Sequence, residues 1–191
     1  MAALNSTYKS KHKPLKEGQS HYHQGYYTPT RHPEKCLSLG QNIYRSSWEM
    51  KFFDWCDRCD SVVRWAAEPI SIPYLSPTAN FDYCIKNHLD PKNSLFWKKQ
   101  NYNVDVWIEL SKKDGSGVRK IFIEIKPYAQ TIQPVPPKPD AKLKEFKAYN
   151  RDAMTYLTNQ AKWEAATKYF KERGCEFIVV TEHTLKKLGI L

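Results

Sequence analysis

Asp105, Glu124 and Lys126 combine residue types and spacing suited to metal-assisted hydrolysis. Side chains at i and i+2 of a β-strand leave the same face, so Glu124 and Lys126 project together if the run through Ile123-Glu124-Ile125-Lys126 is extended. The segment Lys112-Lys113-Asp114-Gly115-Ser116-Gly117 carries a strong hairpin-turn signal. That turn folds the preceding strand, with Asp105 near its start, back beside them. Two adjacent carboxylates repel unless a cation sits between them, and a hard, oxygen-ligated ion such as Mg²⁺ is the usual solution. A neighbouring lysine can orient or deprotonate a water and stabilise charge developing on a phosphate. The metal lowers the pKa of that water and polarises the phosphoryl oxygen. Taken alone, Glu124 and Lys126 also fit an ordinary ion pair. Their setting favours chemistry: they fall on a central hairpin, Pro127 ends the strand just after Lys126, and a helix bearing another acid comes first.

That acid is Glu49. Tyr44, Trp48, Phe52, Trp55 and Cys59 are spaced by four, four, three and four, which gathers them into one apolar stripe of a helix over residues 42–59. Glu49 lies beside the stripe, with Arg45 four residues earlier on the same side. It can reach the edge of the sheet and complete a metal site, or it can form a solvated pair with Arg45. In a second helix, over residues 153–173 and stopped at Gly174, Gln160 and Lys162 are candidates to position water and to contact phosphate. Ordinary surface residues of an amphipathic helix fit them as well.

The elements that must position these groups follow from the pattern. Residues 61–67 and 70–75 read as strands, separated at Pro69. Residues 76–103, with Pro77, Pro91 and several Asn, read as an irregular insertion. Strands over 104–110 and 118–125 form the hairpin. A proline-rich connector (127–140) leads to the second helix, and Glu176-Phe177-Ile178-Val179-Val180-Thr181 makes a last buried strand, before a short helical end. The crossover through the second helix predicts that this strand lies parallel to the 118–125 strand. The expected fold is an α/β sandwich with a central mixed sheet of four to five strands, in the order αβββαβ, over residues 40–191. Residues 1–39 read as a flexible tail rich in Lys, His and Tyr, whose Lys9, Lys11 and Lys13 are candidates to hold DNA or to dock on a protein.

Taken together, Tyr44-Arg45-Ser46-Ser47-Trp48-Glu49, Asp105, Ile123-Glu124-Ile125-Lys126-Pro127 and Asn159-Gln160-Ala161-Lys162-Trp163 resemble the head-completion nucleases of T-even-type tailed phages. They are similar also to the endonuclease subunits of heteromeric transposases. Both groups are PD-(D/E)xK nucleases with the restriction-endonuclease-like fold. The resemblance covers roughly residues 40–182 and keeps the order and spacing of the four motifs. It departs at Val104-Asp105, where Pro-Asp is usual, and in a longer 76–103 segment. It implies Glu49, Asp105, Glu124 and Lys126 as the catalytic tetrad, with Gln160 often paired with it. It further implies Mg²⁺ or Mn²⁺ on Glu49, Asp105, Glu124 and the backbone carbonyl of Ile125, and DNA backbone contacts from Arg45 and Lys162. Portal, neck or head proteins of a virion become expected partners, with host cytoplasm during assembly, then head or neck, as the expected location. A non-cleaving structural head protein and a transposase- or resolvase-type endonuclease are the alternatives.

Composition agrees with this chemistry. The net charge is +10, with six basic and two acidic residues in 1–40, thirteen and eleven in 41–126, and nine and five in 127–173. Positive flanks around an acidic middle suit a polyanion held against a metal. No apolar run approaches the ~20 residues of a membrane span, and the amino end lacks a signal-peptide core, so no membrane partner is expected. Five scattered cysteines, an odd number, argue against a disulfide framework. Cys56 and Cys59 form a CxxC that could be half a zinc site with His21, His23, His32 or Cys36; core thiols are the preferred reading.

Overall fold

The computed structural model describes residues 24–38 and 40–191. The described residues open with β1 (Gly25–Tyr27) and β2 (Asn42–Tyr44), paired antiparallel as a two-stranded sheet. Helix α1 (Ser47–Arg58) follows, then β3 (Val62–Ala67) and β4 (Ser71–Leu75). After α2 (Pro77–Lys86) comes β5 (Lys99–Asn103), which pairs with β4 in a second small sheet. The central hairpin is β6 (Val106–Ser111) and β7 (Val118–Ile125), and the long helix α3 (Leu143–Lys171) crosses to β8 (Glu176–Val180) before α4 (Glu182–Lys187). The main sheet has the order β3-β6-β7-β8, antiparallel except for the parallel β7–β8 edge.

Both faces of that sheet are covered, which is why β7 ends in five consecutive buried residues instead of an alternating pattern. One face packs Phe52, Phe53 and Cys56 of α1 and Leu185 of α4 against Trp65, Ile121 and Ile123. The other packs Ala166 and Phe170 of α3 against Trp107 and Phe122, with Tyr74 and Tyr102 joining from β4 and β5. The Phe122 and Phe170 rings stack with centroids 3.8 Å apart. Strand parity then puts Ile121, Ile123 and Ile125 towards α1, and Phe122 and Glu124 towards α3.

The expected mixed α/β sheet is present with four strands, and the last strand is parallel to β7 as the crossover requires. Several boundaries move. The first helix begins at Ser47, not at 42, because Asn42, Ile43 and Tyr44 pair as β2 with β1. The 76–103 segment is ordered as a helix and a strand: β4 supplies the edge on which β5 folds back. The second helix starts ten residues earlier than its apolar pattern shows, since residues 143–152 are mostly exposed and carry no buried face.

The tail boundary at 39 also moves. Residues 24–38 belong to the domain: Tyr27 packs against both Phe53 and Trp65, and the Cys36 backbone bridges to Trp65. The buried carboxylate of Asp57 accepts the backbone N–H groups of Thr30, Arg31 and His32 at 2.8–2.9 Å. Low hydrophobicity hid this stretch, because backbone hydrogen bonds to one acid hold it. Lys9, Lys11 and Lys13 lie outside the described residues.

Candidate active site

Asp105 stands in the link between β5 and β6, and Glu124 near the end of β7, side by side across the sheet. The Asp105 Oδ2 accepts the Ile125 N–H at 2.8 Å, which fixes its carboxylate against the β7 backbone. Glu124 is 2% exposed. Its Oε1 lies 2.8 Å from Lys126 Nζ and its Oε2 accepts the Tyr102 hydroxyl at 2.6 Å. Lys126 Nζ also lies 4.0 Å from Asp105 Oδ2. The ammonium therefore bridges the two acids. Burial opposes its charge, but Asp105 and Glu124 outweigh burial and hold the lysine pKa above its ordinary value.

Glu49 comes from the first turn of α1 and completes the group. Ser46 is the N-cap, its hydroxyl oxygen accepting the Glu49 N–H at 3.1 Å. The same hydroxyl donates to Glu49 Oε1 at 2.9 Å, and the Arg45 N–H donates to Oε2 at 2.8 Å. The capping motif Ser46-Ser47-Trp48-Glu49 thus doubles as the mount that aims Glu49 at the sheet. Burial, and then repulsion from Asp105, push the Glu49 carboxyl up to about 7. Asp105 also rises to about 7, from burial and then the Glu124 charge.

Glu49, Asp105 and Lys126 share a cavity of about 560 Å³ with Arg45, Trp48 and Gln130. Among the described residues no three His, Cys, Asp or Glu converge closely enough to hold an ion as placed; Lys126 occupies the space between Asp105 and Glu124. The donors nevertheless suit Mg²⁺ or Mn²⁺. They are hard carboxylate oxygens, buried and mutually repelling, and the missing charge is positive. Ile125 lines the same cavity. A larger cavity of about 700 Å³ lies at the far end of the sheet. Its buried Glu109 is already matched by Arg64 at 2.6 Å and Lys120 at 3.9 Å, so it offers no comparable cluster.

The remaining expected residues divide. Arg45 precedes α1, and its guanidinium pairs with Glu68 and not with Glu49. Glu68 has a left-handed backbone (φ 42°) and donates its N–H to the Asp105 carbonyl, so it links the mount of Glu49 to that of Asp105. Lys162 reaches the cluster from α3: its Nζ sits 5.5 Å from the Tyr102 ring centroid and 5.8 Å from that of Tyr74. Burial lowers its pKa despite the Glu124 charge nearby. Gln160 is half-buried on α3, and no side-chain hydrogen bond joins it to the four residues among those described. Its neighbour Asn159 is the buried one, donating to Gln130 Oε1 at 3.4 Å. Cys56 is packed in the core, where burial pushes its thiol up, and His21 and His23 lie outside the described residues. Tyr102 and Glu68 were invisible in the pattern: one sat in an apparent insertion, the other at a strand end. Asp105 and Tyr102 are only three residues apart, which is the signal that could have found Tyr102.

Comparison with known proteins agrees with this geometry. Residues 59–182 match the family model described as TnsA-like endonuclease N terminal. The chain is 33% identical over 146 residues to a head completion nuclease of Enterobacteria phage T4, covering 76% of this chain and 82% of that protein. With the family match spanning well over half its length and the sheet, helices and acidic cluster in place, the chain belongs to the TnsA-like endonuclease family, with the restriction-endonuclease-like fold.

Proposed function

We propose that this chain is a divalent-metal-dependent DNA endonuclease that hydrolyses phosphodiester bonds. The observation that carries the reading is the ammonium of Lys126 set 2.8 Å from Glu124 and 4.0 Å from Asp105, with Glu49 facing Asp105 from α1. Glu49, Asp105, Glu124 and the Ile125 carbonyl would hold Mg²⁺ or Mn²⁺. The ion would activate water and neutralise a phosphate oxygen. Lys126 keeps its proton at neutral pH, so its role is to stabilise negative charge on the phosphate and not to take a proton from water. Arg45 lines the cavity and Lys162 approaches Glu124 from α3, and both suit phosphate contacts of low sequence specificity.

Kinship with a phage head completion nuclease supports a role in finishing the virion head, on packaged DNA or its ends, with portal or neck proteins as neighbours. The TnsA-like family match supports a second setting, DNA cleavage in transposition. No helix among the described residues is long and apolar enough to cross a membrane. The test is incubation with supercoiled plasmid, with and without Mg²⁺ or Mn²⁺, beside Glu124→Ala and Lys126→Ala. Metal-dependent cleavage lost by orders of magnitude in both folded variants is expected. Full cleavage by Glu124→Ala would refute the assignment.

A further inference from the structure

We propose that Tyr102 is a positioning residue for the cleavage site, holding Glu124 by one oxygen so that the other alone is presented to Lys126 and the reacting centre. This rests on the nuclease reading above and deepens it. Tyr102 is 3% exposed, and its hydroxyl donates to Glu124 Oε2 at 2.6 Å, at the short end for a charge-assisted bond. The other oxygen, Oε1, faces Lys126 Nζ at 2.8 Å. With both oxygens engaged from opposite sides, the carboxylate cannot rotate. A hydrogen-bonded outer partner of this kind sets how a ligating carboxylate is offered to a cation.

The ring is held in its turn. It packs edge-on against Tyr74, with centroids 6.3 Å apart, and Lys162 Nζ stands 5.5 Å from its centroid. Tyr74 and Tyr102 lie on the paired strands β4 and β5, so the pairing of these two strands holds the ring in place. A buried phenol between a carboxylate and a cation has no packing reason to be polar. Phenylalanine would fill the same space.

The experiment is Tyr102→Phe in the full chain, measured for plasmid cleavage and, separately, for Mn²⁺ affinity by calorimetry in the absence of DNA. The expected result is a 10- to 100-fold loss in kcat with KM for DNA nearly unchanged, and a weakened Mn²⁺ affinity of similar order. The melting temperature should stay within a few degrees of wild type. Site-specific 3,5-difluorotyrosine at 102 keeps ring and hydroxyl and alters donor strength, so it covers the case in which Phe folds poorly. A shift in Mn²⁺ affinity with fluorination supports positioning, and none overturns it. A Tyr102→Phe chain that cleaves and binds Mn²⁺ as wild type does overturns this inference alone. A wild-type chain that neither binds Mn²⁺ nor cleaves overturns the nuclease reading, and this inference with it.

Discussion

Replacing Glu49 by Gln should stabilise the metal-free protein while abolishing cleavage. Glu49 is buried to 9% exposure with Asp105 close by, and its carboxyl is raised from 4.5 to about 7. The sign follows from proton linkage. Below pH 4.5 folded and unfolded chains both hold the proton and the site costs nothing. Between 4.5 and 7 the unfolded chain releases its proton before the folded one, so stability falls as pH rises. Above 7 the loss is complete, at roughly 3 kcal/mol for the 2.5-unit difference. Glutamine keeps the hydrogen bonds: its carbonyl can accept the Arg45 N–H, and its amide can donate to Ser46 Oγ. We expect Glu49→Gln to gain about 1–3 kcal/mol at pH 7.5, a rise of several degrees in melting temperature for a domain of this size. At pH 4.5 the two chains should melt together. The assay is thermal unfolding in EDTA across pH 4.5–8, followed by Mg²⁺ addition, which should stabilise wild type more than the variant. A difference that does not vary with pH, or a variant less stable than wild type at pH 7.5, would refute the argument.

Asp57→Ala should cost about 3 kcal/mol, read as a lowered melting temperature, because three backbone N–H groups and the Tyr27 hydroxyl lose their acceptor. Removing residues 1–38 should destabilise comparably, since residues 24–38 pack on the core. Lys144, Lys147 and Arg151 project from one side of α3, the side that carries Lys162 further along at 100° per residue, and all three are exposed. Changing the three to Glu should leave folding intact, weaken DNA binding and flatten its log–log salt slope by up to about 3. An unchanged slope would remove α3 from the DNA path.

The sheet was legible because its central strands have both faces buried and so appear as dense apolar runs, and because one Asp-Gly turn joins them. That Glu49, Asp105, Glu124 and Lys126 come together was legible for a related reason: a period of 2 at the end of β7 and the stripe of α1 fix where Glu124, Lys126 and Glu49 point. What escaped was held by polar contacts instead of periodicity. Residues 24–38 hang on Asp57, and β5 reads Lys-Gln-Asn-Tyr-Asn, with no alternation of hydrophobicity to reveal a strand. Arg45 was placed on the helix by counting in fours, but the helix starts two residues later and the guanidinium turns to Glu68. The start of α3 escaped because its first ten residues bury nothing.

Those first turns of α3 have a consequence for how the molecule opens. At 29 residues the helix is about 43 Å long, and its buried residues Asn159, Ala166 and Phe170 all lie in its second half. Near its midpoint the helix meets α2, where the Thr158 and Thr78 hydroxyls lie 2.9 Å apart, and the turns before it bury no residue. Helical hydrogen bonds alone hold such a stretch marginally. The helix is therefore graded in local stability, unwinding from Leu143 inwards while Phe170 stays clamped on Phe122. Lys162 lies on the clamped side of that gradient, so the amino-terminal turns can unwind without disturbing the lysine above Tyr102.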